Sequence, residues 1–244
     1  MDILIHPEGA LPVGRNQNKA AQVAARQAFY GELALKIAIP GFRPAERDTD
    51  FDDVRYFRSA GIRLPYAELN PLPTGIKTGI LLETGFDQVA PNHPRLISSW
   101  AYEQAVASGL EDLTDNRAPD VPCYEPGYTL VEKLQTISTK YRAQQDSGQM
   151  PTNFMRHYYD VFCLLDDPDV QAFIGTPAYL AHKELRFRAG DDLDIARNPA
   201  FVLDDAGTRA AYARAYIGTR ALYFHDQPPL EAILDRIGRD AGRL

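Results

Sequence analysis

The pattern of apolar and polar residues predicts a first half of mixed strands and helix, and a second half that is helical. Apolar residues at helical spacing predict one long helix over residues 18–37, which Pro40 and Gly41 end. Residues 41–56 are acidic and polar, as is typical of a loop. Short apolar runs bounded by proline and glycine predict three strands, over residues 2–5, 61–66 and 76–86.

The second half predicts a series of helices. Thr129 and Glu132 have the spacing of a capping box, and Asn153 is the candidate N-cap of the next helix. The apolar stripes of these two helices are Leu130, Leu134, Ile137 and Tyr141, then Phe154, Tyr158, Val161 and Leu165. Further helices are predicted over residues 177–187, 206–223 and 229–240, and the proline-rich residues 119–127 are predicted to be irregular.

This order of elements predicts an α+β fold. Its first part is a mixed sheet with helices, and its second part is a C-terminal helical bundle. The character of the sequence changes near residue 95, so we predict two domains, residues 1–95 and 96–244.

Composition excludes several classes of protein. The formal net charge of −7 argues against a basic protein that coats nucleic acid. The two cysteines, Cys123 and Cys163, are not paired by any motif, which favours a reducing cytoplasm. No apolar run has the length of a membrane span, and the N-terminus has no signal-peptide pattern.

Two local groups of cations keep a basic groove open as an interpretation. The first group is Lys133, Lys140 and Arg142. Lys133 and Lys140 lie seven residues apart at the edge of an apolar stripe, where an ammonium reaches a neighbouring cleft and suits a triphosphate. The alternative is a pair of surface lysines. The second group is Lys183, Arg186 and Arg188. For these residues, a basic groove and solvated helix faces are equally acceptable interpretations.

Three carboxylates are candidates for chemistry. Asp160 follows Arg156 by one helical turn. The two residues form either an exposed surface ion pair or a functional carboxylate that is positioned by the neighbouring cation. Asp2 begins the first predicted strand, and Glu83 lies within an otherwise apolar strand. Carboxylates on neighbouring strands are suitable ligands for Mg²⁺. The alternative is that the Glu83 side chain points outward to solvent. The aspartates of residues 48–53 are interpreted as a solvated turn.

In combination, these segments resemble the AbiEii/AbiGii toxin family of nucleotidyltransferases, within the polymerase-β-type superfamily. The likeness spans nearly the whole chain. It rests on three stretches: residues 58–64 with the strand at 80–83, residues 128–142 and residues 153–165. The last two contain Glu-Lys-Leu at 132–134 and Arg-His-Tyr-Tyr-Asp at 156–160. The Gln-Pro-Pro tail at 227–229, followed by a terminal helix, also fits.

The resemblance implies a nucleotidyltransferase-like first domain and transfer of a nucleotidyl group from an NTP to an acceptor such as the 3′ end of tRNA. It also implies Mg²⁺ as cofactor and a separately encoded antitoxin as partner. Asp2 and Glu83 would be metal ligands, and Lys133 and Asp160 catalytic residues. Nucleotide contacts would come from Lys133, Lys140 and Arg156.

The sequence departs from the family pattern at its start. Asp2 resembles the second aspartate of the metal-binding pair, and no glycine-bearing turn or first aspartate precedes it. Because such contacts stabilise the transition state, we expect weak or absent activity. Two alternatives therefore stay open: a non-catalytic remnant or partner-binding module, and a plain RNA-binding protein.

Overall fold

The computed structural model describes residues 2–4, 13, 17–68, 77–87, 90–151, 154–223 and 227–244. The chain forms two compact units, Met1–Pro91 and Asn92–Leu244. The first unit holds a sheet with one long helix, and the second is mainly helical. The α+β class predicted from the sequence is confirmed.

The first unit is built on a four-stranded mixed sheet. Its elements are β1 (Asp2–Leu4), α1 (Ala20–Lys36), β2 (Glu46–Asp48), β3 (Ser59–Leu64) and β4 (Ile80–Gly85). The strand order is β1-β4-β3-β2; β1 runs parallel to β4, and the other pairs are antiparallel. The predicted helix and the three predicted strands are confirmed, with β4 beginning later than expected.

Helix α1 supplies the apolar cover of this sheet. Ala34 on the helix packs with Ile62, Leu64 and Leu82 on the strands. Tyr30 is fully buried, and its hydroxyl donates to the carbonyl oxygen of Arg58 at 3.1 Å. Alternation along β4 places Leu82 under the helix, because successive strand side chains point to opposite faces.

Part of the predicted acidic loop is an ordered strand and turn. Asp48 ends β2, and residues 49–51 form a 3₁₀ turn. The Asp48 side chain is only 7% exposed and accepts from Arg63 Nε at 2.7 Å and from Lys77 Nζ at 2.9 Å. The interpretation of Asp48 as part of a solvated turn is therefore wrong, because β2 pairs with β3 and brings the carboxylate to Arg63.

The second unit begins with a two-stranded ribbon and continues in helices. Its elements are β5 (Asn92–Ile97), α2 (Trp100–Ala107), β6 (Ala118–Tyr124), α3 (Pro126–Ser147), α4 (Arg156–Leu164), α5 (Pro168–Phe173), α6 (Pro177–Arg186), α7 (Pro199–Val202), α8 (Ala206–Ile217) and α9 (Leu230–Asp240). The helices predicted after residue 176 are confirmed, although α8 ends before the 3₁₀ turn of residues 220–222.

Two local predictions in this unit are wrong. Much of the segment expected to be irregular forms β6, paired antiparallel with β5. A two-stranded ribbon accepts Pro119 and Pro122, since half of its N–H groups point away from the partner strand. Helix α3 begins at Pro126 rather than Thr129, and the Thr129 hydroxyl bonds the carbonyl oxygen of Glu125 inside the first turn. Proline is well tolerated there because the first helical N–H groups have no partner.

Helices α3 and α4 meet along their predicted apolar stripes. Leu130, Leu134 and Ile137 of α3 are fully buried. The α4 stripe is also buried and joins the same core, which α8 and α9 complete with Tyr212, Tyr216, Ile233 and Ile237. The candidate N-cap Asn153 lies outside the described residues. The stripes fix how the two helices face each other, and so which polar side chains meet at their edge.

Candidate functional site

The edge of the α3–α4 interface carries an ion pair between two residues singled out from the sequence. Lys133 Nζ on α3 donates to Asp160 Oδ2 on α4 at 2.7 Å. Their side chains are 29% and 32% exposed, so the pair is partly desolvated but open to solvent on one side. A cation held in this way is available to an anionic ligand at the surface.

The pair keeps Asp160 ionised. Burial by itself would raise the pKa of this carboxyl, but the neighbouring His157 and Lys133 outweigh that effect and lower it below its ordinary value. Asp160 is therefore an anion at neutral pH. An anionic Asp160 fixes the Lys133 ammonium by charge as well as by hydrogen bonding.

Two further side chains stand behind this pair. His157, one turn before Asp160, has a side chain only 9% exposed, and its Nδ1 lies 3.6 Å from Asp160 Oδ2. Lys140 Nζ lies 3.0 Å from His157 Nε2. Burial, with the charges of Arg156 and Lys133, lowers the pKa of Lys140. We call Lys133, Lys140, His157 and Asp160 the α3–α4 cluster.

Arg156 is exposed and does not form the ion pair with Asp160 that the sequence suggested. The described ion pairs of Asp160 are with Lys133 and His157, not with Arg156. The hypothesis that Arg156 positions Asp160 is therefore wrong, because α4 turns Asp160 towards α3. Arg156 still adds positive potential, since its charge contributes to the lowered pKa of Lys140. With three cations and one carboxylate, the site favours a polyanion.

Glu83 and Asp2 lie on neighbouring strands of the first unit. The register pairs Asp2 on β1 with Glu83 on β4, and Glu83 in turn with Gly61 on β3. Glu83 is half-buried, on the sheet face opposite Leu82. Carboxylate oxygens are the donors that Mg²⁺ prefers, and the ion is commonly bound by one or two carboxylates together with substrate phosphates. The donor chemistry of these two positions thus fits Mg²⁺.

Asp48 lies in the same row of the sheet as Glu83, but its carboxylate charge is already balanced by two cations. Its register partner is Gly61, and Arg63 and Lys77 bind its two oxygens. Within the described ranges, no three His, Cys, Asp or Glu side chains group together as metal ligands.

Two members of the second basic group, Lys183 and Arg186, serve packing, whereas Arg188 is exposed. Arg186 NH2 lies 3.5 Å from Glu132 Oε1, and Tyr124 donates to the same oxygen at 3.1 Å. Lys183 is 8% exposed and contacts the carbonyl oxygen of Leu244. Neither the groove nor the solvated face expected for Lys183 and Arg186 is found, because α6 packs this side against α3 and the chain end.

The chain was compared with models of protein families. The model named nucleotidyl transferase AbiEii toxin, type IV TA system, covers residues 1–236. The chain belongs to the AbiEii family. It is thus a member of a family of nucleotidyl transferase toxins of type IV toxin–antitoxin systems, which implies a nucleotide substrate and a cognate antitoxin. Comparisons with curated proteins and with solved structures found no match.

The resemblance proposed from the sequence is confirmed by this match. Among the described residues, no helix has both the length and the apolar character to cross a membrane.

His157 is the residue of the cluster that the sequence reasoning missed as a functional candidate. Its three-residue spacing from Asp160 on one helix face was the available signal.

Proposed function

We propose that this AbiEii-family chain transfers a nucleotidyl group from an NTP to an acceptor, with Mg²⁺ as cofactor and the 3′ end of tRNA as the candidate acceptor. The observation that carries the proposal is the partly exposed Lys133–Asp160 pair, set among further cations at one edge of α3 and α4. Because cations outnumber carboxylates on this surface, the negative charge of a triphosphate is complementary to it.

The reaction assigns a distinct task to each residue. The acceptor oxygen bonds to the α-phosphorus, and the bond from that phosphorus to the departing pyrophosphate breaks. Lys133 and Arg156 bind phosphate oxygens, and Lys133 stabilises the negative charge of the transition state. Asp160, held as an anion, keeps the Lys133 side chain oriented. Lys140 was the third predicted nucleotide contact, and its ammonium lies against His157.

The metal would be held by residues of the first unit. Asp2 and Glu83 occupy paired positions on β1 and β4, and their carboxylates are the proposed ligands. In complex with the NTP, Mg²⁺ would supply charge neutralisation. We also propose that the protein acts in the cytoplasm, with a separately encoded antitoxin; both cysteines are free, as a reducing compartment would keep them.

The proposal is tested by label transfer. We expect the protein to move label from an α-labelled NTP to tRNA in the presence of Mg²⁺, at a low rate because of the departure from the family pattern at Asp2, and Lys133→Met to lower this rate by about a hundredfold or more. Loss of the ammonium removes a charge that acts on the transition state. Transfer is measured on denaturing gels.

The matched control is Lys36→Met, because Lys36 is an exposed lysine of α1, paired only with the exposed Glu32. This variant is expected to retain the wild-type rate. Absence of transfer by the wild type, together with no rise of melting temperature on adding Mg²⁺ and NTP, would contradict the proposal and favour a partner-binding module.

A further inference from the structure

Lys140 and His157 form a second layer behind the Lys133–Asp160 pair. His157 is almost wholly buried between α3 and α4, and each of its ring nitrogens faces a charged group of known identity. Nε2 faces the Lys140 ammonium at 3.0 Å, and Nδ1 faces the Asp160 carboxylate at 3.6 Å. The imidazole therefore lies between a cation and an anion that do not contact each other directly.

The chemistry of the two neighbours assigns the tautomer of His157. An ammonium has only hydrogens to donate, so Nε2 must accept and must carry no proton. The single proton of the neutral ring then lies on Nδ1, on the side of Asp160. This Nδ1 is buried and has no hydrogen-bond partner within range among the described residues. A displacement of a few tenths of an ångström would complete the bond to Asp160.

We propose that Lys140 and His157 are positioning residues: Lys140 sets the tautomer of His157, and His157 holds Asp160 so that Asp160 orients Lys133. This inference rests on the proposed function, because it concerns the support of the same nucleotide site. It assigns the Lys140 ammonium to His157 rather than to a phosphate. Lys133 and Arg156 then remain as the cations that meet the nucleotide.

The two lysines are both half-buried and differ in their partners. Lys133 binds the Asp160 carboxylate, whereas Lys140 contacts His157 Nε2, and burial lowers the pKa of Lys140. An ammonium that has lost much of its water requires a local acceptor, and His157 Nε2 supplies one. The contacts of the cluster therefore run in the order Lys140, His157, Asp160 and Lys133.

The first test reads the tautomer directly and does not need activity. The full chain is labelled with nitrogen-15 in histidine, and the ring signals of His157 are assigned by their loss in His157→Asn. We expect protonated Nδ1 and unprotonated Nε2 near neutral pH, and a mixture of tautomers in Lys140→Met. Lys36→Met is expected to leave the His157 signals unchanged.

The proposal is overturned if His157 carries its proton on Nε2, if it is doubly protonated near neutral pH, or if Lys140→Met leaves its tautomer unchanged. These outcomes are readable whether or not label transfer occurs. A failure of the proposed function, seen as no transfer by the wild type, is thus separate from a failure of the positioning role.

The second test uses a pair of substitutions that each keep one half of the ring. His157→Asn keeps an N–H near Asp160, whereas His157→Gln keeps an acceptor for Lys140 and loses the N–H at the Nδ1 position. We expect Gln to lower kcat by about tenfold with KM little changed, and Asn to retain most of kcat. A purely structural role predicts instead that both variants lose activity in proportion to their lost stability, and that result would refute the positioning role.

Discussion

At the scale of single residues, buried charges in this protein are matched by specific partners. Arg26 is fully buried on α1, and its guanidinium donates to the carbonyl oxygens of Tyr56 and Gln17 and to the side chain of Asn18. Asp48 is matched by Arg63 and Lys77. A buried charge without such partners would cost several kcal/mol, so these contacts define the native pairing of the strands.

One prediction at this scale concerns Asp48. Asp48→Asn leaves the Arg63 guanidinium, itself only 8% exposed, without its counter-charge. We expect the free energy of unfolding to fall by about 2–3 kcal/mol, because removing one partner of a buried pair strands the other. Urea denaturation of the full chain measures the change.

Asp50 provides the matched control for this change. Its side chain is 69% exposed and shares only the Lys77 ammonium. Asp50→Asn is expected to alter stability by less than about 0.5 kcal/mol, as is usual for an exposed ion pair. Equal effects of the two substitutions would show that burial of Asp48 does not decide the outcome.

At the scale of elements, the position of α3 depends on a close approach in its first turn. A Cβ added to Gly127 would lie 2.4 Å from Cδ1 and 2.8 Å from Cγ of Phe173. The ring of Phe173 is stacked on Tyr128, with centroids 4.7 Å apart, so it has little room to withdraw. The glycine thus lets α3 approach the end of α5, and α3 carries Lys133 and Lys140.

We therefore predict that Gly127→Ala destabilises the protein, although alanine is the better helix former. Overpacking of this kind costs about 1–3 kcal/mol. The control is Gly238→Ala on α9, where an added Cβ meets no atom within 4 Å. That change is expected to stabilise by up to about 1 kcal/mol. Thermal unfolding of both variants measures the sign, and a stabilising Gly127→Ala would contradict the packing described here.

At the scale of the whole molecule, titratable groups in both units set how stability depends on pH. In the first unit the pKa of Asp48 is lowered: burial opposes this, but hydrogen bonds from Lys77 and Arg63 outweigh it. In the second unit the pKa of Asp160 is also lowered, and burial lowers that of His157. Burial raises the pKa of Tyr158 well above 10.0.

These shifts predict a plateau of stability that falls on both sides. His157 is neutral in the folded state, so below its ordinary pKa of 6.5 the unfolded chain binds the proton first and stability decreases. The stability due to the ionised carboxylates is present above their ordinary pKa of 3.8 and is lost as pH falls through their lowered values. Above 10.0 the unfolded tyrosine loses its proton first, which again lowers stability.

Calorimetry across the pH range checks this behaviour. We expect the melting temperature to begin its fall just below the ordinary pKa of histidine, before the carboxylates titrate. His157→Asn is expected to remove part of that early fall, because asparagine does not titrate. An identical profile for the variant and the wild type would show that His157 does not contribute to it.

The sequence by itself determined the α+β class, the helices α1, α3, α4, α6, α8 and α9, three strands of the first sheet and the likeness to the family, but not β2, β5, β6 or α2. The stripes of α3 and α4, the helical spacing of apolar residues along α1 and the signatures at 132–134 and 156–160 are local patterns, since helical periodicity follows from the geometry of a single element. Lys133 and Asp160 were singled out from these patterns. Their sequence positions did not show that they bind each other.

Only the tertiary structure decided which charges meet. Lys133 and Asp160 are 27 residues apart and on different helices, and Lys140 reaches His157 across the same interface. Asp48 was mistaken for a solvated residue because its partner Arg63 lies on another strand. Pairing between residues that are distant in sequence depends on how the elements pack and on how much water they exclude from the charges. A local pattern of apolar and polar residues predicts neither.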